Sequence, residues 1–397
     1  MTTQPRLRFV CLSTVLILMT SVVALGQHDR GGPTGGGMIG GSTERSSRPA
    51  TKPANKPAST TTPRRRTTPA PVKRPTATTI SADAYYQQGE ALYNAKKYRE
   101  ALESYLKATE INPSMSSALY RIAWIYNDLE EYESALAPIK RVIAIQPNYA
   151  AAYFELGYAN KKLERYNEAL TAFLQTVRLK PDYASAHYEI GWIYNEQKNY
   201  TAAINSLNSA MSYRSDYAEA QNELGYAFRH LNRNAEAIQA YREATRLNPQ
   251  FGLAYLGLGD VYYYNTKQYA EAANAYKQGL QYRPNNITAL YNLGWCYNDL
   301  ERYNDAVVEL RKAISLQSNY PEAYNELGYS LHQLGRYVEA VQQYQMAIRQ
   351  KTNYASAHFN LGMSFLALNN RNAALEQYRI LQSIDAARAT KLFNHIK

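Results

Sequence analysis

Six large aromatic residues occupy the same place in successive units of 34 residues, one of which has an extra residue. They are Trp124, Tyr158, Trp192, Tyr226, Trp295 and Tyr329, and they include all three tryptophans of a chain with 37 tyrosines. An asparagine follows each tryptophan three residues later, as Asn127, Asn195 and Asn298. Rings offer contact area and amides offer hydrogen bonds, which is the composition of binding surfaces. This pattern therefore predicts binding and not catalysis.

The remaining reactive residue types give no support for an enzyme. The chain has six histidines and two cysteines, and neither type occurs at metal-ligand spacing or in a catalytic motif. His187 and His358 replace a bulky core residue, so we expect packed, hydrogen-bonded histidines. Cys296 stands where other units have Ile125, Ile193 or Val261, which predicts a small core residue rather than a nucleophile. We predict no catalytic residue, metal or cofactor.

The units that carry these residues have small or chain-breaking residues at three fixed positions. We number each unit from its first residue, which is Ala82 in the first unit. Small residues at positions 8 and 20 allow two antiparallel helices to approach closely, and proline at position 32 ends the second helix. Position 8 is Gly89, Ala123, Gly157, Gly191, Gly225, Gly259, Gly294, Gly328 and Gly362. Position 20 is Ala101, Ala135, Ala169, Ala203, Ala237, Ala272, Ala306, Ala340 and Ala374. Position 32 is proline in five units, at Pro113, Pro147, Pro181, Pro249 and Pro284.

This 34-residue pattern resembles the tetratricopeptide repeat family. The resemblance covers nine repeats over residues 82–388 and implies an all-α, right-handed superhelical solenoid of helix-turn-helix repeats. Single hairpins cannot bury their apolar faces, so the repeats are expected to stack. A stripe of Ala389, Leu392, Phe393 and Ile396 predicts a capping helix over residues 389–397. The extra residue of repeat six, between Gly259 and Tyr269, is expected between its two helices.

The resemblance also suggests where a ligand would bind. In this family the face of the first helix with positions 2, 5, 9 and 12 lines a concave groove that holds ligands. The six rings above fall at position 9, which is usually polar in the family, and Tyr120 and Tyr188 fall at position 5. The asparagines fall at position 12, where an amide could bond the backbone of an extended peptide. The alternative is that the rings fill seams between neighbouring first helices and bind nothing.

The first eighty residues differ in composition from the rest. Arg6, Arg8 and the apolar run that follows predict a secretory signal over residues 1–26, cleaved near Gly26, with an uncleaved anchor as the alternative. Residues 27–81 are rich in Pro, Thr and Gly, which predicts a disordered tether. The tether has ten Lys and Arg residues against two acidic ones, so residues 82–397 have a net charge of only +1 out of +11. We therefore predict no nucleic-acid binding by the repeats.

Three hypotheses for function follow. The leading one is a periplasmic or secreted scaffold that binds an extended segment of a partner protein in the aromatic groove. The second is a scaffold that binds glycans or cell wall through the same rings. The third, and weakest, is the targeting subunit of a glycosyltransferase-type enzyme. The tether is interpreted either as a spacer or as an adhesive for an anionic surface or polysaccharide.

Overall fold

The computed structural model describes residues 80–397, and the signal and most of the tether lie outside this range. These residues form nineteen α-helices and no strand. The first helices of the nine repeats are Ala82–Asn94 (α1), Ser116–Asp128 (α3), Ala150–Lys162 (α5), Ala184–Glu196 (α7), Ala218–His230 (α9), Gly252–Asp260 (α11), Ile287–Asp299 (α13), Pro321–Gln333 (α15) and Ala355–Ala367 (α17). The fold is the predicted all-α solenoid.

The second helices all have fourteen residues. They are Tyr98–Ile111 (α2), Tyr132–Ile145 (α4), Tyr166–Leu179 (α6), Tyr200–Tyr213 (α8), Asn234–Leu247 (α10), Tyr269–Tyr282 (α12), Tyr303–Leu316 (α14), Tyr337–Gln350 (α16) and Arg371–Ile384 (α18). Five of them end two residues before a proline. Three others end at the same position although Ser215, Ser318 or Thr352 replaces the proline, so the helix end does not depend on proline alone.

The turn between the two helices of a repeat has a backbone feature that the sequence analysis did not identify. Position 15 has a positive φ in all nine repeats, and eight of these residues are not glycine. Only Gly335, with φ of 74°, is a glycine there. This left-handed residue ends the first helix and reverses the chain within a few residues.

The first helices lie on the inner side of the stack. Helix α3 contacts α5, α7 contacts α9, and α13 contacts α15, whereas consecutive second helices approach one another less closely. Tighter spacing on one side makes that side the concave one, as the resemblance implied. Between Ile80 and Lys397 no helix is long and apolar enough to cross a membrane.

The two helices of a repeat lie closest together where the small residue at position 8 contacts the core residue at position 24. Phe173 is fully buried, and a Cβ atom added to Gly157 would lie 2.7 Å from its ring. Tyr105 and Tyr344 lie in the same way under Gly89 and Gly328. In these three repeats the small residue at position 8 is therefore required by the ring beneath it.

The extra residue of repeat six does not lie between the helices, so that prediction was wrong. Helix α11 continues into a π-helical turn, Val261–Asn265, and the added residue is accommodated in this wider turn. Such turns arise from single insertions that leave the flanking helix in place.

A last helix, Ala386–Ile396 (α19), follows the ninth repeat and contacts α17 and α18. Ala389, Leu392 and Ile396 are buried in this contact. The helix begins three residues before the predicted start because the Asp385 carboxylate accepts a hydrogen bond from the Arg388 amide, 3.0 Å away, and caps it.

Candidate functional site

The rings at position 9 form a row along the first helices. Five of the six, including all three tryptophans, are partly exposed, and Tyr158 is buried. Their packed edges contact tyrosines of the preceding repeat. The ring centroids of Trp192 and Tyr166 are 5.9 Å apart, and those of Tyr329 and Tyr303 are 6.2 Å apart. The groove and seam alternatives therefore do not exclude each other, since a ring can have one edge in the seam and the other in solvent.

The rings at position 5 are paired with the tyrosine that ends each repeat. Tyr120 lies 5.2 Å from Tyr149, and Tyr188 lies 4.9 Å from Tyr217, measured between ring centroids. Tyr188 is buried and Tyr120 is half-buried. Burial raises the pKa of both hydroxyls, so they stay neutral. These pairs close the seam between repeats at the amino-terminal ends of the first helices.

The asparagines at position 12 are buried in the seams, which corrects their predicted role as ligand-binding amides. Asn195 Nδ2 donates to the Glu223 carbonyl and carboxylate, at 3.1 and 3.0 Å. Asn127 binds Glu155 in the same way, and Asn298 binds Glu326. The partner is always position 6 of the next repeat. These amides join neighbouring repeats, and their donors are not directed towards a peptide backbone in the groove.

The oxygen of these amides has a partner in only one of the three seams. Ser330 Oγ donates to Asn298 Oδ1 at 2.6 Å, whereas the buried Asn127 Oδ1 and Asn195 Oδ1 have no hydrogen-bond partner among residues 80–397. The residues equivalent to Ser330 in those seams are Ala159 and Ala227, both fully buried. A buried acceptor without a donor costs free energy.

We therefore predict that Ser330→Ala lowers the free energy of unfolding by about 1–2 kcal/mol. Ala227→Ser should raise it by up to about 1 kcal/mol, because the added hydroxyl supplies the missing donor to Asn195. Urea denaturation of the full chain measures both changes. A loss of stability in Ala227→Ser equal to that in Ser330→Ala would show that the alanine seams have no room for the hydroxyl.

Charged residues that the sequence analysis did not select also lie on the first helices. Lys161 Nζ pairs with the Glu189 carboxylate and lies 4.3 Å from the centre of the Trp192 ring. Arg121 binds Glu90 through two hydrogen bonds, of 2.8 and 2.9 Å. The Lys161 pair joins position 12 to position 6 of the next repeat, as the asparagine pairs do. The 28-residue interval between complementary side chains is a signal that could have revealed these contacts.

Repeat six interrupts the row of rings with a polar cluster. Asp260 occupies position 9, and it accepts hydrogen bonds from Arg229 and from the Tyr276 hydroxyl, both at 2.6 Å. Tyr264, in the π-helical turn, donates to Asn292 at 2.9 Å. The groove face thus has a block of rings in repeats two to five and another in repeats seven and eight.

The histidines and cysteine that we assigned to the core lie there in two of three cases. His358 is buried and hydrogen-bonded to Gln377 and to the Thr352 carbonyl, at 2.7 and 2.8 Å. Cys296 is fully buried, and burial raises the pKa of its thiol, which keeps it unreactive. His187 is only half-buried; it binds the Pro181 carbonyl and stacks on Tyr213. Among residues 80–397 no group of three His, Cys, Asp or Glu side chains could hold a metal ion.

Comparisons with known proteins agree with the repeat pattern. Profiles described as tetratricopeptide repeat match residues 82–115, 116–149, 154–212 and 253–286, and one described as TPR repeat matches residues 225–266, 296–335 and 328–369. No curated protein matches the chain significantly.

Several solved structures are similar. The C-terminal part of a TPR repeat-containing protein from Cytophaga hutchinsonii has a TM-score of 0.50 and 16% identity, covering 61% of this chain and 99% of that one. YrrB, described as a TPR protein with an unusual peptide-binding site, has a TM-score of 0.45 and 25% identity, covering 48% and 99%. MamA has a TM-score of 0.40 and 21% identity, covering 43% and 92%.

Proposed function

Because this chain belongs to the tetratricopeptide repeat proteins, which are protein-interaction scaffolds, we propose that it is an exported scaffold that binds an extended segment of a partner protein along its first helices. The observation that supports the proposal is the row of partly exposed rings on the concave side. Tyrosine and tryptophan are among the residues that contribute most to binding at protein interfaces. Export rests on the apolar run after Arg6 and Arg8, which lies outside the described residues.

The two blocks of rings define what the segment must look like. A chain that lies along the groove would meet rings in repeats two to five, then the polar cluster of Asp260, then rings again. An extended segment can run past every repeat in turn, and every second side chain of the segment points to the same face. The partner segment would therefore have two apolar parts separated by a polar one.

The test uses the three tryptophans, since they are the only indole reporters in the chain. Trp192→Ala should lower the free energy of unfolding by about 1–2 kcal/mol, below the roughly 3–5 kcal/mol of a fully buried tryptophan. It should also weaken partner binding at least tenfold. Emission of the full chain should be red-shifted, quenched by acrylamide and changed by ligand. The control is Tyr213→Ala, which removes a ring that is 51% exposed on a second helix.

Three outcomes separate the hypotheses. Partners captured from an envelope extract by the full chain, and lost with Trp192→Ala but not with Tyr213→Ala, would support the scaffold. Binding to purified polysaccharide without a protein partner would support the glycan hypothesis instead. Blue emission that acrylamide does not quench, from all three tryptophans, would mean that the rings only pack the seams.

A further inference from the structure

One seam shows how this groove holds a cation. Between repeats three and four, Lys161 at position 12 is held by the Glu189 carboxylate at position 6 and by the Trp192 ring at position 9. Only 10% of the lysine side chain and 5% of the glutamate side chain are exposed. A carboxylate and a ring face together are a favourable site for an ammonium or guanidinium group.

In three other seams asparagine replaces the lysine at position 12. The seam of Asn127 and Glu155 has a buried ring, Tyr158, whereas the other two seams combine the carboxylate with a partly exposed ring. Between repeats four and five these are Glu223 and Tyr226, and between repeats seven and eight they are Glu326 and Tyr329. Position 12 is asparagine in both seams, Asn195 and Asn298. Among residues 80–397, the side chains that donate to these carboxylates are all neutral amides: Asn195 and Asn222 bind Glu223, and Asn298 and Asn325 bind Glu326, at 3.0–3.3 Å.

These two carboxylates are costly for the folded protein. Neither forms an ion pair with a residue of the described part of the chain. The charged neighbours of Glu223 are Glu196 and, more weakly, Lys161, and that of Glu326 is Asp299. Burial raises the pKa of Glu326 to about 7 and raises that of Glu223 as well, because the charged form is poorly solvated. A carboxylate that destabilises the folded protein in this way is expected where a ligand supplies the positive charge to pair with it.

The groove supplies no cation of its own for these places. The nine first helices have four Lys and Arg residues, Arg121, Lys161, Lys162 and Arg229, against three times as many Asp and Glu residues. Arg121, Lys161 and Arg229 are already paired with Glu90, Glu189 and Asp260. The face is therefore acidic and complements a basic chain.

We propose that Glu223 and Glu326 each bind a lysine or arginine side chain of the segment held in the groove, with Tyr226 and Tyr329 covering its alkyl stem. The partner is then a basic extended segment, with cationic residues that reach repeats five and eight. This inference rests on the proposed function and adds the chemistry of the partner.

The experiment compares peptides that differ only in charge. An array of extended peptides, each made with lysine at chosen positions and with glutamine at the same positions, is titrated against the full chain. We expect at least tenfold tighter binding of the best lysine peptides than of their glutamine versions, decreasing with added salt. Glu326→Gln should remove most of this difference in affinity for one of the lysine positions, without weakening the binding of the glutamine peptide. Glu339→Gln, an exposed glutamate on a second helix, is the control and should change neither.

The variant must be folded for this comparison. Glu326→Gln keeps the shape of the side chain and its donors can rotate, and it should be at least as stable as the parent chain at pH 8, where the glutamate is ionised. Equal affinity for lysine and glutamine peptides, lost on Trp192→Ala, would overturn this inference and leave the proposed function in place. Failure of every peptide to bind would overturn both. An equal loss for both peptides in Glu326→Gln would assign the glutamate to the seam alone.

Discussion

A chain that ends at Ile384, without α19, should aggregate and should lose structure first in its last repeat. Helix α19 buries Ala389, Leu392 and Ile396 against α17 and α18. Its removal exposes Leu381, which is fully buried in the intact protein. Losing one such leucine contact alone costs about 2–5 kcal/mol, and here the whole face loses its cover. Hydrogen exchange followed repeat by repeat, together with size-exclusion chromatography, measures the effect.

The position of the loss is as informative as its size. Because each repeat contacts only its neighbours, protection should fall in repeats nine and eight and remain unchanged near α1. Leu392→Ala should cause a smaller loss at the same place. Asn394→Ala, an exposed change in the same helix, should cause none. A uniform loss of protection along all nine repeats would contradict nearest-neighbour stacking.

The fold could be predicted from the sequence because the residues that recur every 34 positions each have a fixed structural role. Glycine at position 8 and alanine at position 20 mark the helix crossing, and five prolines mark the helix ends. The insertion in repeat six was visible, yet its place was not, because a hairpin can accept an extra residue in its turn or in a π-helical turn. The left-handed residue at position 15 could not be predicted, since eight of the nine residues there are not glycine. The turn after the second helix could not be predicted in the repeats that lack proline at position 32.

The candidate site was harder to predict because seams between repeats depend on the offset between helices. The helical wheel placed Asn195 on the groove face, but it gave no distance to Glu223 in the next repeat. Position 6 was left out of the predicted set altogether. Lys161 and Glu189 pair across the same 28-residue interval, so a search for complementary residues at that interval would have identified the seam.

The second large effect is expected at the crossing of the two helices in repeat three. Gly157→Ala should lower the free energy of unfolding by about 3 kcal/mol, since overpacking a full core forces the neighbours apart. The added Cβ atom would lie 2.7 Å from the Phe173 ring, and this ring is fully buried. Thermal or urea unfolding of the full chain measures the loss.

Repeat two has a larger residue at position 8 and a smaller one at position 24. The cause of the expected loss in repeat three can therefore be tested by making the same exchange there. Repeat two has Ala123 at position 8 and Ile139 at position 24, both fully buried. Phe173→Ile alone should cost about 2 kcal/mol, because it removes ring contacts. The double variant Gly157→Ala and Phe173→Ile should be more stable than the sum of the two losses predicts, by at least about 1 kcal/mol, as neighbours in contact are not additive. Ala123→Gly serves as the matched control, since Ile139 leaves no clash to relieve. Additive losses in repeat three would show that the glycine is needed for the backbone and not for the ring beneath it.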